Sequence, residues 1–126
     1  MTSQGRAFRI AQRIKEELST LLIFQVSDPA LANVFITHVK VDRELAYADI
    51  YVSALEGVER SEEILDGFER ASGFLRRQLA QLIELRSFPR LRFNWDPMPE
   101  NADRIDRLIA SLHKDDEAEA ETGEDE

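Results

Sequence analysis

The chain contains no cysteine among its 126 residues, so neither a disulfide framework nor a zinc site with thiolate ligands can stabilise it. It also lacks any apolar run near the roughly 20 residues that a membrane-spanning helix requires. Its N-terminus is polar and basic, without the apolar stretch of a secretory signal peptide. We therefore expect a single domain that works in the cytoplasm, away from membranes, and is long enough to bury a real core.

The usual sequence signatures of an enzyme or a metal site are missing as well. The chain has two histidines, His38 and His113, and neither belongs to a set with metal-ligand spacing. There is no phosphate-binding loop or dinucleotide-binding fingerprint, and nothing suggests that a serine, a histidine and an aspartate converge. We predict no catalytic residue, no metal, no cofactor and no small-molecule substrate.

The net charge of −9 comes from the C-terminal end of the chain. Residues 115–126 hold eight acids and no base, and removing those eight from the 25 acids leaves 17 against 16 Lys and Arg. Residues 114–126 have little to bury, so we expect a disordered acidic tail after a folded domain at residues 1–113. The tail is most simply a solubilising segment; a sharper hypothesis is that it competes with RNA for basic surfaces.

The basic residues of the remaining chain are concentrated in two segments. Residues 1–15 carry four bases and no acid, and residues 70–92 carry six arginines against one acid. Of the 16 bases 13 are arginine, whose planar guanidinium suits phosphate and can stack on bases. This pattern is typical of a nucleic-acid-binding surface. The alternative is that the arginines pair with Glu16, Glu17, Asp66 and Glu69 on a solvated surface.

Residues 61–92 contain the most informative pattern. An apolar stripe with steps of three or four residues predicts a long helix with one buried side: Ile64, Phe68, Ala71, Leu75, Leu79 and Leu82. In its middle, Ala71-Ser72-Gly73 precedes Arg76 and Arg77. An interior glycine costs about 1 kcal/mol relative to alanine, so we predict a kink with bare backbone beside positive charge, open to an RNA phosphate chain. The alternative is that Gly73 only allows close packing against the sheet.

Two strands are predicted between a first helix, at residues 6–25, and this long helix. In the strand at residues 34–41, alternation places Phe35, Thr37, Val39 and Val41 on one face. The strand at residues 47–55 has its own aliphatic face, formed by Ala48, Ile50, Val52 and Ala54. Because the link between these strands is short, we expect them to pair in antiparallel fashion.

A third strand and a last helix complete the predicted order. Leu91, Phe93 and Trp95 alternate with polar residues, and we expect Phe93 and Trp95 in the core, although aromatic side chains can also stack on bases. An apolar stripe predicts the last helix at residues 101–112. The order helix-strand-strand-kinked helix-strand-helix predicts an α+β fold with helices packed on one face of a three-stranded sheet.

Taken together and in this order, several segments resemble the bacterial ribosome-binding factor A family. They are the basic first helix at residues 6–22, Val26-Ser27-Asp28-Pro29, residues 37–41, residues 45–53, residues 71–79, Leu91-Arg92-Phe93 and residues 104–108. The resemblance implies a KH-like fold of the second topological type, in which an Ala-x-Gly kink replaces the Gly-x-x-Gly loop of ordinary KH domains. Ala71-Ser72-Gly73 matches that kink.

The resemblance also implies a function. The family is a non-enzymatic assembly factor that binds the free small ribosomal subunit, assists late maturation of its ribosomal RNA and is associated with growth in the cold. We expect a monomer that contacts the subunit RNA through Arg6, Arg9, Arg13, Arg70, Gly73, Arg76, Arg77, Arg90 and Arg92. The alternative is a small α+β protein-interaction module that does not bind RNA directly.

Overall fold

A computed structural model describes residues 4–99, and its elements follow the predicted order as far as that range extends. They are α1 (Gln4–Phe24), β1 (Val34–Val41), β2 (Tyr47–Ala54), α2 (Ser61–Leu82) and β3 (Arg90–Trp95). Short 3₁₀ turns at Pro29–Leu31 and Val58–Arg60 precede β1 and α2. The compact unit that contains these elements ends at Asp96, and a second unit begins at Pro97. The predicted last helix and the acidic tail lie outside the described residues.

The three strands form one mixed sheet in the order β1-β2-β3. β1 and β2 are antiparallel, as predicted, whereas β3 runs parallel to β2. A parallel pair cannot be joined by a tight turn, and α2 supplies the long crossover between the two strands. The α+β class and the three-stranded sheet are therefore confirmed.

Both helices share one hydrophobic core with the sheet, and Tyr47, on the opposite face of β2, is exposed. The inward face of β2 is the predicted aliphatic one and is buried throughout. Phe68 of α2 stacks on Phe93 of β3 with 4.5 Å between the ring centroids. Phe93 and Trp95 are half-buried and pack against the core, so they lie at its rim and not fully inside it as expected.

The predicted face of β1 was wrong at the start of the strand. Ile36 pairs with Val52 and His38 with Tyr51, so Thr37 is an extra residue in a β-bulge. The bulge reverses the alternation: Ile36 is buried and Phe35 is 39% exposed. Alternation within a sequence cannot show such a one-residue shift in register.

The apolar stripe of α2 was also wrong at its last member. Ile64, Phe68, Leu75 and Leu79 are fully buried, but Leu82 is exposed and Ile83 is buried instead. The helix ends at Leu82 and Ile83 is extended, with φ −121° and ψ 112°. The chain therefore leaves the helix directly after Leu82, and the next core residue, Ile83, is placed by extended backbone and not by the 3.6-residue period.

The close-packing glycine of α2 is Gly67. A Cβ on Gly67 would lie 3.0 Å from Cδ2 of Leu31 and 3.2 Å from Cβ of Ala30. Gly73 is exposed, and a Cβ there would meet only the Nη1 atom of Arg77, at 3.3 Å. The interpretation of Gly73 as a packing glycine was therefore wrong. All residues of α2 form one continuous helix, and the kink at Ala71-Ser72-Gly73 stays a prediction.

Candidate nucleic-acid interface

The three arginines predicted on α1 line one groove. Arg6, Arg9 and Arg13 follow one another at intervals of three and four residues, so they share one side of the helix. The groove has a volume of about 550 Å³, and residues 83–85 form its opposite wall. Glu84 is the acid in that lining, so three guanidinium groups face one carboxylate. The groove is thus strongly basic.

A second, smaller groove surrounds the small-residue segment of α2. Its volume is about 200 Å³, and it is lined by Ser72, Gly73, Arg76, Arg90 and Leu91. Since Gly73 has no side chain and is exposed, the α2 backbone is accessible between guanidinium groups. This is the combination of bare backbone and positive charge that the sequence predicted around Ala71-Ser72-Gly73.

Residues 83–90 connect the two grooves. Residues 83–85 line the first groove and Arg90 lines the second. The five Cα-to-Cα steps from Leu85 to Arg90 span at most about 18 Å, which limits the separation of the grooves. Arg86 lies exposed on this connection. We call the resulting surface the basic band; it consists of Arg6, Arg9, Arg13, Ser72, Gly73, Arg76, Arg77, Arg86 and Arg90.

Two members of the basic band hold its shape. Arg76 donates to the backbone carbonyls of Phe88 and Pro89, at 2.6 and 3.1 Å, and so ties the connection to α2. Arg13 donates to the carbonyl of Leu82 at 3.0 Å and pairs with Glu17 at 3.4 Å. These guanidinium groups keep further N–H donors free for a ligand, because each carries five.

Three other arginines of the basic band lack such internal partners over residues 4–99. Within the described residues, no hydrogen bond or ion pair holds the side chains of Arg9, Arg77 and Arg90. Because a free guanidinium does not have to give up an internal partner, these three side chains can donate to a phosphate without breaking a contact within the described residues.

Arg70 and Arg92 do not belong to the basic band. Arg70 pairs with Asp28 at 3.2 Å, beside the turn before β1. Arg92 forms two hydrogen bonds with Asp49 and lies over the ring of Tyr47, 4.1 Å from its centroid. The hydrogen bonds to Asp49 raise the pKa of Arg92. Both arginines are therefore ion-paired, but not with the carboxylates predicted for that alternative; of those, Glu17 pairs with Arg13.

Sequence reasoning missed Ser72 and Arg60. Ser72 was seen only as part of the small-residue segment, although its position in the second groove offers a hydroxyl beside Gly73. Arg60 donates to the carbonyls of Ala30 and Ala32 and pairs with Glu56. No local pattern could have found this role of Arg60, because the carbonyls lie about 30 residues away in the chain.

Two other kinds of site are absent from residues 4–99. In that range, no group of histidine, aspartate or glutamate side chains is placed to hold a metal ion. None of the helices there is long and apolar enough to cross a membrane.

The mixed sheet, the two helices on one face and the arginine-lined Gly73 define the class: a small KH-like domain of the second topological type. The model of the family described as ribosome-binding factor A matches residues 6–109. The chain belongs to the ribosome-binding factor A family.

The chain is also similar to individual proteins of this family. Ribosome-binding factor A of Alcanivorax borkumensis is 41% identical over 121 residues, which cover 95% of this chain and 84% of that protein. The crystal structure of ribosome-binding factor A from Thermus thermophilus is 25% identical, with a TM-score of 0.62 over 70% of this chain and 93% of that one.

A third likeness concerns the fold alone. A homology model of the Thermus thermophilus factor, fitted into a cryo-EM map of its complex with the 30S subunit, is 23% identical. Its TM-score is 0.53, over 73% of this chain and 92% of that one.

Proposed function

We propose that this chain is a non-enzymatic maturation factor that binds the free small ribosomal subunit and contacts its RNA through the basic band. The observation that carries the proposal is the exposed Gly73 between arginine side chains, joined by residues 83–90 to the arginine groove of α1. Family membership and the 30S complex of the Thermus thermophilus factor support the choice of partner.

The proposed mechanism is electrostatic and geometric. Phosphates of a folded RNA strand enter the two grooves, where Arg9 and Arg90 neutralise them while Arg13 and Arg76 keep the walls in place. Arg77, whose Nη1 atom lies beside Gly73, neutralises phosphate next to the second groove. The missing side chain at Gly73 lets the sugar-phosphate backbone approach the helix. Such contacts release counterions from the RNA, so binding weakens steeply as salt rises.

This mechanism involves no bond making or breaking by the protein. Its contribution is to hold a particular arrangement of ribosomal RNA during late maturation of the subunit. The cytoplasmic location expected from the sequence agrees with such a partner. The monomeric state expected from the sequence stays a prediction, and sedimentation equilibrium of the purified chain checks it.

Co-sedimentation with purified small subunits, followed by footprinting of the protein on the subunit RNA, tests the proposal. We expect the chain to sediment with the subunits at low salt, to be released at high salt and to protect a discrete RNA region. Replacing Arg77 with Glu should abolish both the co-sedimentation at low salt and the protection of the RNA region. Arg43→Glu serves as a matched control, because Arg43 is exposed on the β1–β2 connection outside the basic band. Equal loss in both variants would contradict the assigned surface.

A further inference from the structure

A second surface, at the end of α1, differs from the basic band in chemistry. Ile23 and Phe24 are 72% and 77% exposed, and Leu55, after β2, is 81% exposed. A groove of about 460 Å³ runs beside Ile23 and is bordered by the turn before β1 and by the first residues of β1, including Phe35. We call the groove together with Ile23, Phe24, Phe35 and Leu55 the apolar end. Clustered exposed apolar side chains of this kind mark interaction sites.

The apolar end carries the opposite charge preference to the basic band. Residues 16–39 contain no lysine or arginine, and these residues supply every lining side chain of the groove. Asp28 lines the groove, and Glu56 accepts a hydrogen bond from Asn33 in its wall. The guanidinium groups beside the groove are already paired, Arg60 with Glu56 and Glu63 and Arg70 with Asp28, so the acids outnumber the bases there. The surface therefore repels phosphate and attracts a cationic partner.

The wall of this groove is rigidly held before any partner arrives. Arg60 bonds the carbonyls of Ala30 and Ala32 at 2.8 and 2.7 Å, and Arg70 pairs with Asp28, which in turn accepts from the backbone N–H of Ala30. A preformed wall reduces the ordering cost of binding. These contacts explain why two arginines of the chain are turned away from RNA contact.

The groove also borders an edge of the sheet. β1 is the outermost strand of the sheet that residues 4–99 form, so within that range its outer backbone groups are not paired with another strand. Such an edge is suited to a polypeptide, which can offer matching backbone donors and acceptors, rather than to nucleic acid.

We propose that the apolar end docks a basic segment of a small-subunit protein, with apolar side chains that enter the groove beside Ile23. This inference depends on the proposed function, because the partner is a component of the same subunit. The chain then contacts two components of the small subunit: RNA through the basic band and protein through the apolar end.

Site-specific photocrosslinking tests the inference. A benzophenone amino acid replaces Ile23 in one preparation and Ser87 in the other. Ser87 is exposed on the connection between the two arginine-lined grooves, next to Arg86. Both preparations are irradiated with purified small subunits. We expect position 23 to give an adduct with a subunit protein that protease destroys and nuclease does not. Position 87 should give an adduct with RNA.

The remaining outcomes separate the two proposals. An adduct from position 23 with RNA, with a second copy of this chain or within the same chain overturns the inference, as does no adduct there while position 87 still crosslinks to RNA. No adduct at either position contradicts the proposed function and, with it, the inference.

Two variants that place opposite charges at position 23 test the inference independently, through their affinity for the subunit. Burial of one isoleucine side chain corresponds to about tenfold or more in affinity, so both Ile23→Lys and Ile23→Glu should weaken subunit binding. Ile23→Lys should weaken it more, because it repels a basic partner. If Ile23→Lys binds the subunit as tightly as the unchanged chain, or more tightly than Ile23→Glu, the apolar end has no basic protein partner.

Discussion

Asp49 accepts two hydrogen bonds from the Arg92 guanidinium, at 2.8 and 3.0 Å, across the parallel pair of β2 and β3. The two N–H groups that donate to Asp49 are ones that could otherwise donate to two oxygens of a phosphate. Arg92 is thus occupied, although its place in the sequence made it as plausible an RNA contact as its neighbours.

The pair leads to a first prediction. Arg92→Ala should lower the affinity for the small subunit less than Arg77→Ala, because Arg77 has no internal partner within the described residues. Asp49→Ala should raise the affinity for unrelated RNA by freeing the Arg92 guanidinium. Filter binding of the three variants measures both effects, and an Arg92→Ala loss equal to that of Arg77→Ala would show that RNA displaces Asp49.

The two glycines of α2 should respond to alanine in opposite directions. Gly67→Ala should destabilise the fold by about 1–3 kcal/mol, since its Cβ meets the buried Leu31 and Ala30 side chains. Gly73→Ala should stabilise it by up to about 1 kcal/mol through helix propensity, because only the flexible tip of Arg77 lies near. Denaturant unfolding compares them, and the same Gly73→Ala protein should bind the subunit more weakly. A stable variant with unchanged binding would mean that RNA backbone does not approach Gly73.

Arg60 should prove important for stability and not for RNA binding. Arg60→Ala leaves the carbonyls of Ala30 and Ala32 without their donor, which should cost about 1–3 kcal/mol. Arg60→Lys should restore only part of that loss, because a single ammonium cannot reproduce the fork of the guanidinium. Thermal unfolding measures the series, and full rescue by lysine would show that charge alone is required.

Acid should loosen the turn before β1. The hydrogen bond from the Ala30 backbone N–H lowers the pKa of Asp28, and the Arg70 guanidinium lowers it further. Because the folded pKa lies below the unfolded one, this carboxylate stabilises the fold above the unfolded value, about 4, and the contribution is lost as pH falls through the folded value. Unfolding temperatures recorded downward from about pH 6 should therefore fall less steeply for Asp28→Asn than for the unchanged chain. If the unfolding temperatures of both proteins fall in parallel with pH, Asp28 does not contribute to the loss of stability in acid.

Much of the fold followed from periodicity. The buried face of β2, most of the α2 stripe and the order of elements from α1 to β3 were predicted correctly, because each depends on repeats within a short stretch of chain. The bulge at Thr37 was not predictable, since it is visible only in the pairing of β1 with β2. The parallel direction of β3 likewise depends on where α2 returns the chain.

The candidate site was predictable in composition but not in detail. Local charge located the arginines, yet their partners lie far along the chain: Arg70 finds Asp28, Arg92 finds Asp49 and Arg76 finds carbonyls after the helix. Gly67 and Gly73 both lie inside the predicted helix, but the sequence analysis predicted a special role for Gly73 alone. The three-dimensional surroundings assign close packing to Gly67 and leave Gly73 exposed beside Arg77.

The salt dependence of subunit binding tests the central claim most directly. Replacing Arg9, Arg77 and Arg90 together with alanine should leave the fold intact, since these side chains have no hydrogen bond or ion pair within the described residues. Each lost phosphate contact reduces the slope of log affinity against log salt by about 0.7–0.9, so the slope should fall by about two units. A folded triple variant with an unchanged slope would contradict RNA binding by the basic band.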